Sequence, residues 1–172
     1  MINTKIALTN LGKYNEGKLI YTWLDLPATD EEIDQAFKDI GVADNTAFEE
    51  YFISDYETNI IGLKIGEYDN ILELNEKIEQ VSYLQDYELE EVEAIIEATG
   101  YDIEESMDIH GKGNFIYYSG VKSFEELAEM FASEGYFGNI PENLENYIDY
   151  EAMGRDLQYD YTLTNNGIIR ID

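Results

Sequence analysis

The sequence predicts an α+β protein built from three small units, and three observations lead there. Segments of period-two alternation lie toward both ends of the chain, while helical periodicity dominates its middle. Two Ser/Thr-x-x-Glu capping boxes and an Asn-Asn-Gly turn punctuate the end segments. The third is that 44% of the residues are hydrophobic and 13% aromatic, although 38 Asp and Glu face only 10 Lys and Arg. Disordered acidic tails lack that apolar surface and cannot offset the entropy of ordering. A chain of 172 residues with a formal net charge of −28 therefore folds against its own repulsion.

In order along the chain, Asn3 to Thr9 alternates around Ile6 and Leu8 and is expected to be a strand. Residues 10–17, Asn-Leu-Gly-Lys-Tyr-Asn-Glu-Gly, are rich in turn formers and are expected to be a loop. Leu19 to Leu26 is a second strand, with Leu19, Tyr21 and Trp23 on one face. Thr29-Asp30-Glu31-Glu32 is a capping box that opens a helix with Ile33, Phe37 and Ile40 as its stripe and Gly41 as its stop. Glu50 to Glu57 is a third strand, and the first unit closes near residue 64.

From Ile71 the period changes. Ile71, Leu74, Ile78 and Val81 form one helical stripe, with Glu73, Glu76 and Glu79 off it. Leu89, Val92, Ile95 and Ile96 form a second, with Glu88, Glu90, Glu91, Glu93 and Glu97 expected to point outward. Residues 65–107 are thus expected to be an acidic helical unit, which is too small to bury a core alone. In residues 108–172, Phe115 to Tyr118 is a strand and Ser123-Phe124-Glu125-Glu126 a second capping box. The helix after that box buries Phe124, Leu127, Ala128 and Phe131 and ends at Gly135. Pro141 suits the first turn of another helix carrying Leu144, Tyr147 and Ile148. Leu157 to Leu163 and Ile168 to Ile171 are strands joined by Asn165-Asn166-Gly167.

Composition excludes several classes of function. There is no Cys, hence no disulfide, thiolate nucleophile or Cys-ligated metal. The absence of Cys also fits a reducing cytoplasm. With so few bases, direct nucleic-acid binding and an anionic membrane surface are disfavoured. There is no apolar run long enough for a transmembrane helix, and no basic and apolar start typical of a signal peptide. The EF-hand pattern fails from Asp55, because Ile60 stands at its Gly position and Gly66 at its Glu position. His110 is the single His, which cannot make the usual zinc or di-iron cluster and is expected to be structural or at the surface. Gly111-Lys112-Gly113 is too short for a phosphate loop. No catalytic constellation, metal site or cofactor is expected.

The acids are densest in the first two thirds of the chain. Residues 25–57 hold eleven against one base, and residues 65–108 fifteen against one. Tyr recurs between acids, as in Asp55-Tyr56-Glu57, Glu67-Tyr68-Asp69 and Asp86-Tyr87-Glu88. Two readings stay open on composition alone: a solvated, salt-adapted surface, or carboxylates that imitate the phosphates of DNA. With one charge per roughly 1.7 Å of duplex axis, 28 charges match on the order of 48 Å.

Residues 10–17, with Trp23 after them, resemble the start of the ArdA antirestriction proteins. The run Ile140-Pro141-Glu142-Asn143-Leu144-Glu145-Asn146-Tyr147-Ile148-Asp149-Tyr150-Glu151-Ala152-Met153-Gly154-Arg155-Asp156-Leu157 is similar to their C-terminal signature, and Ile53-Ser54-Asp55-Tyr56-Glu57 to a further segment. The middle helices match in character. The resemblance implies a protein carried by a mobile genetic element, such as a conjugative transposon or plasmid, and acting in the recipient cytoplasm. It implies an elongated three-domain chain, with boundaries here at 1–64, 65–107 and 108–172. It implies a curved homodimer joined through the last domain, and occupation of the DNA groove of a type I restriction–modification enzyme at its methyltransferase core. No catalysis, cofactor, direct nucleic-acid binding or membrane binding is implied. On that reading Asp30, Glu31, Glu32, Asp34, Glu73, Glu76, Glu79, Glu88, Glu90, Glu91, Glu93 and Glu97 stand in for phosphates, and Gly135, Tyr136, Phe137, Gly138 and Ile140 form the dimer contact. The alternative is an acidic binding module or chaperone for another basic DNA-binding protein.

Overall fold

A computed structural model describes residues 2–43 and 48–172. It is mixed α+β, with seven α-helices and two small antiparallel sheets among the described residues. The chain groups into two compact units, 1–85 and 86–172.

In the first unit, strands β1 (Thr4–Asn10), β2 (Tyr21–Leu26) and β3 (Tyr51–Thr58) form a sheet of order β2-β1-β3. Ile6 stands opposite Leu24 and Tyr56. A register shift after Ala7 brings Ile53 opposite Leu8. Helix α1 (Leu11–Asn15) occupies the segment expected to be a loop. The cause is Asn10, whose side chain accepts from the Lys13 amide at 2.8 Å and caps a single turn. Helix α2 (Asp30–Ile40) packs on β1 and β2 and buries Ile33, Ala36 and Ile40. Both halves of the Thr29–Glu32 capping box are present, and Gly41 ends the helix at φ 72°. Helix α3 (Ile71–Ser82) buries the four expected positions Ile71, Leu74, Ile78 and Val81. Its Asn75 side chain bonds both polar groups of the Ala28 backbone, at 2.7 and 3.0 Å.

In the second unit, helices α4 (Asp86–Thr99), α5 (Ile103–Lys112), α6 (Phe124–Ser133) and α7 (Tyr150–Leu157) surround strands β4 (Phe115–Ser119), β5 (Thr162–Leu163) and β6 (Gly167–Ile171), in sheet order β4-β6-β5. Successive strand residues face opposite ways, so the fully buried Ile168 and Ile169 serve two cores. Ile169 packs with Ala94 and Ile95 of α4, and Ile168 with Val121, Leu127 and Phe131. Helix α3 contacts β2 in the first unit, and α4 contacts β6 in the second.

Further elements differ from those expected. Helix α5 replaces an unassigned stretch, opened by a complete Asp102–Glu105 capping box. The helix expected after Pro141 is a turn and a 3-10 segment, Glu145–Tyr147, that buries nothing; the helix starts later, at Tyr150. The strand expected over Leu157 to Leu163 shrinks to Thr162–Leu163, because Leu157 closes α7 and packs on the Leu127 core. The Asn165-Asn166-Gly167 turn does join β5 to β6. At Ser123 only half the box forms: Glu126 accepts from the Lys122 amide instead. Among the described residues no helix is long and apolar enough to cross a membrane.

Candidate partner-binding surface

The expected partner-facing acids fall into two groups by what their oxygens do. On α2, Asp30, Glu31, Glu32 and Asp34 are exposed. Glu32 closes its helix, accepting from the Thr29 amide at 2.8 Å, and that bond holds its carboxyl below the usual carboxylate range. Asp30 and Asp34 line a groove with Phe37, Tyr51, Asn70 and Leu72. On α3, Glu73, Glu76 and Glu79 are exposed at intervals of three residues, about 4.5 Å of helix rise per step. Glu79 accepts from the Tyr83 hydroxyl at 2.7 Å, which pushes that phenol up.

Helix α4 differs. Its Glu88, Glu90, Glu91 and Glu93 are half-buried, not outward as the helical period suggests. Glu90 accepts from the Tyr117 and Ser119 hydroxyls of β4, both at 2.7 Å. Burial first and then this bond push the Tyr117 phenol well up. Glu91 Oε2 lies 2.9 Å from Nε2 of His110, whose ring stacks on Phe115 at 5.5 Å, so His110 has a structural place. Glu97 is exposed but takes the Asn165 amide at 2.8 Å and that residue's side chain, fixing the β5–β6 turn. Glu93 is pushed up by burial, then by Glu97 and Glu90. Such inward bonds were not legible in α4, because their donors come from α5, β4 and a turn distant in sequence.

The segment expected as a subunit contact follows α6. Tyr136 and Phe137 are 64% and 46% exposed, although both rings pack against Phe131. Gly135, Gly138 and Ile140 line a depression with Glu129, Asn139 and Tyr150.

The segment 10–17 has a structural role that its composition hid. Asn10 is fully buried, and its amide donates to the Ile40 and Gly41 carbonyls at 3.1 and 3.2 Å. Lys13 Nζ adds a bond to the Ile40 carbonyl at 3.1 Å. Together they satisfy the carbonyl end of α2, where a cation also meets the negative pole of the helix. The turn-forming residues thus anchor the helix that carries Asp30 to Asp34.

No group of three His, Cys, Asp or Glu among the described residues could hold a metal ion. The described residues thus display carboxylates on short helices of a mixed α+β fold. The antirestriction protein (ArdA) family matches residues 6–170. The chain belongs to that family, whose members are antirestriction proteins, not a known family of enzymes, and act against restriction enzymes. A search among curated proteins found no match.

Proposed function

We propose that the protein imitates DNA and occupies the DNA-binding groove of a type I restriction–modification enzyme, at its methyltransferase core. The observation that carries this is the display on α2 and α3: Asp30, Glu31, Asp34, Glu73, Glu76 and Glu79 are exposed carboxylates on two helices of one unit. The summed field of such side chains attracts a cationic groove. Of the α4 acids, Glu88 and Glu93 are half-buried, and Glu90, Glu91 and Glu97 chiefly hold the second unit together. The chain acts in the cytoplasm of a cell that receives a mobile element. It works as a homodimer, through Gly135 to Gly138 and Ile140, with Tyr136 and Phe137 as anchors.

Competition with labelled DNA for the purified methyltransferase core tests the mimicry. Neutralising Glu73, Glu76 and Glu79 together with Asp30, Glu31 and Asp34 should weaken competition clearly, in rough proportion to charge removed. Any one Gln or Asn change should cost only about 0–1 kcal/mol. Binding away from the groove, with DNA still bound, would favour a general acidic module instead. For the dimer, Phe137→Asp puts an unpaired charge into a desolvated patch and should give a folded monomer by light scattering and circular dichroism. A compact monomer of 172 residues has a radius of gyration of about 16 Å. Small-angle scattering near that value for the wild type would defeat the elongated dimer.

A further inference from the structure

The outer face of the first sheet carries aromatic rings and acids that the reading above does not use. Tyr21, Trp23 and Asp25 of β2 stand opposite Thr9, Ala7 and Lys5 of β1. Across β1, Asp55 and Glu57 stand opposite Ala7 and Lys5. Directly opposed residues share a face, so two rows cross the sheet: Asp25–Lys5–Glu57 and Trp23–Ala7–Asp55. The other face carries the buried Ile6, Leu24 and Leu26. On the outer face Tyr21 remains 50% and Trp23 41% exposed, and Asp25, Asp55 and Glu57 are exposed too. The face already shows how it handles a cation. Lys5 Nζ lies 4.9 Å from the Trp23 ring centroid and 3.0 Å from Oε2 of Glu57. A ring face and a carboxylate grip one positive charge from two sides.

We propose that this face is a second contact surface and takes arginine side chains of the basic partner. A guanidinium stacks on Trp23 or Tyr21, and Asp25, Asp55 or Glu57 meets its charge. Arginine fits better than lysine because its planar, weakly hydrated group stacks on rings and pairs with carboxylates at once. Lys5 competes for the same ring and holds the site partly closed. This rests on the proposed binding to a cationic groove, and adds to its phosphate-like charges a set of stacking positions that resemble bases more than backbone.

Trp23 is the only tryptophan, so its fluorescence reports the site in the full-length protein. The probe is an oligoarginine peptide, with oligolysine of equal length as reference. Oligoarginine should change the fluorescence saturably and bind more tightly than oligolysine. Trp23→Leu, which leaves the charge unchanged, should weaken oligoarginine binding about 2- to 5-fold. Lys5→Gln should strengthen it more than Lys18→Gln, although each removes one positive charge. Lys5→Gln keeps the ring and covers the case in which Trp23→Leu unfolds, which circular dichroism would show. Unchanged fluorescence, a folded Trp23→Leu that binds like wild type, or equal effects of the two lysine changes would overturn the proposal. DNA competition by the wild type reads the mimicry separately. Competition without a Trp23 effect keeps the mimicry and removes this site; a Trp23 effect without competition does the reverse.

Discussion

Glu90 and Glu93 sit about one helical turn apart on α4 and should act on stability with opposite signs. Glu90 is the acceptor for two β4 hydroxyls. Glu90→Ala leaves the half-buried Tyr117 hydroxyl without that acceptor and should cost about 1–3 kcal/mol in urea unfolding. Glu73→Ala, on an exposed helix face, should stay within about 0.5 kcal/mol. Both remove one negative charge, so relief of the overall repulsion cancels in the comparison. Glu93 has its folded pKa raised by burial, then by Glu97 and Glu90. A raised carboxyl binds its proton more tightly in the folded state, so its contribution is present below the unfolded pKa of about 4.3 and lost as pH rises. Glu93→Gln should therefore raise the melting temperature at pH 7, with the gain vanishing toward pH 4. Tyr117 follows the same sign at alkaline pH. Its phenol is raised by burial and by Glu90, so stability held below about pH 10 is lost as pH climbs further. Tyr117→Phe should make that alkaline decline shallower in thermal melts.

Gly154 sets how closely α7 approaches α6 and also hides α7 in the sequence. It is the only buried residue of α7. A Cβ there would meet the Phe124 carbonyl carbon at 2.7 Å and its oxygen at 2.8 Å, both backbone atoms at the start of α6. Alanine favours a helix interior over glycine by about 1 kcal/mol, yet the α6 backbone cannot move aside cheaply. Gly154→Ala should lower stability by about 1–3 kcal/mol in thermal unfolding. A stabilised variant would mean that the two helices do not approach so closely. The same residue shows why α7 was not legible. Its one fully buried position is a glycine, which no hydrophobic pattern marks, and Leu157-Gln158-Tyr159-Asp160-Tyr161 imitated strand alternation instead. Helix α5 was hidden likewise, since it fully buries only Ile103 and Ser106. Where helices packed with large residues, as α3 does through Ile71, Leu74, Ile78 and Val81, the period and the buried face were legible together. The exposed acids of α2 and α3 were legible for the same reason. Those of α4 were not, since a carboxylate's partner depends on tertiary contacts and not on helical phase.

The whole molecule carries −28, and that charge should act with opposite signs on folding and on binding. Among the described residues several ion pairs lie at the surface: Lys18 with Glu16, Lys112 with Asp108, Arg155 with Glu151. Each contributes about 0–1 kcal/mol, and ten bases cannot neutralise 38 acids. Repulsion among the remaining carboxylates therefore outweighs attraction in the isolated protein. Salt shortens the screening length from about 10 Å at 0.1 M to about 3 Å at 1 M. Screening weakens the long-range repulsion more than the short contacts, so the melting temperature should rise with NaCl. The same screening weakens attraction to a cationic groove, so competition with DNA should lose strength over the same range. Its slope should be shallower than that of DNA itself, because carboxylates spaced along helices condense fewer counterions than a duplex. Thermal unfolding and competition measured across one NaCl series test both signs at once. A melting temperature that falls with salt would mean that pairs such as Lys5–Glu57 dominate the fold. Inhibition that ignores salt would mean that a specific pocket, not the summed field, holds the partner.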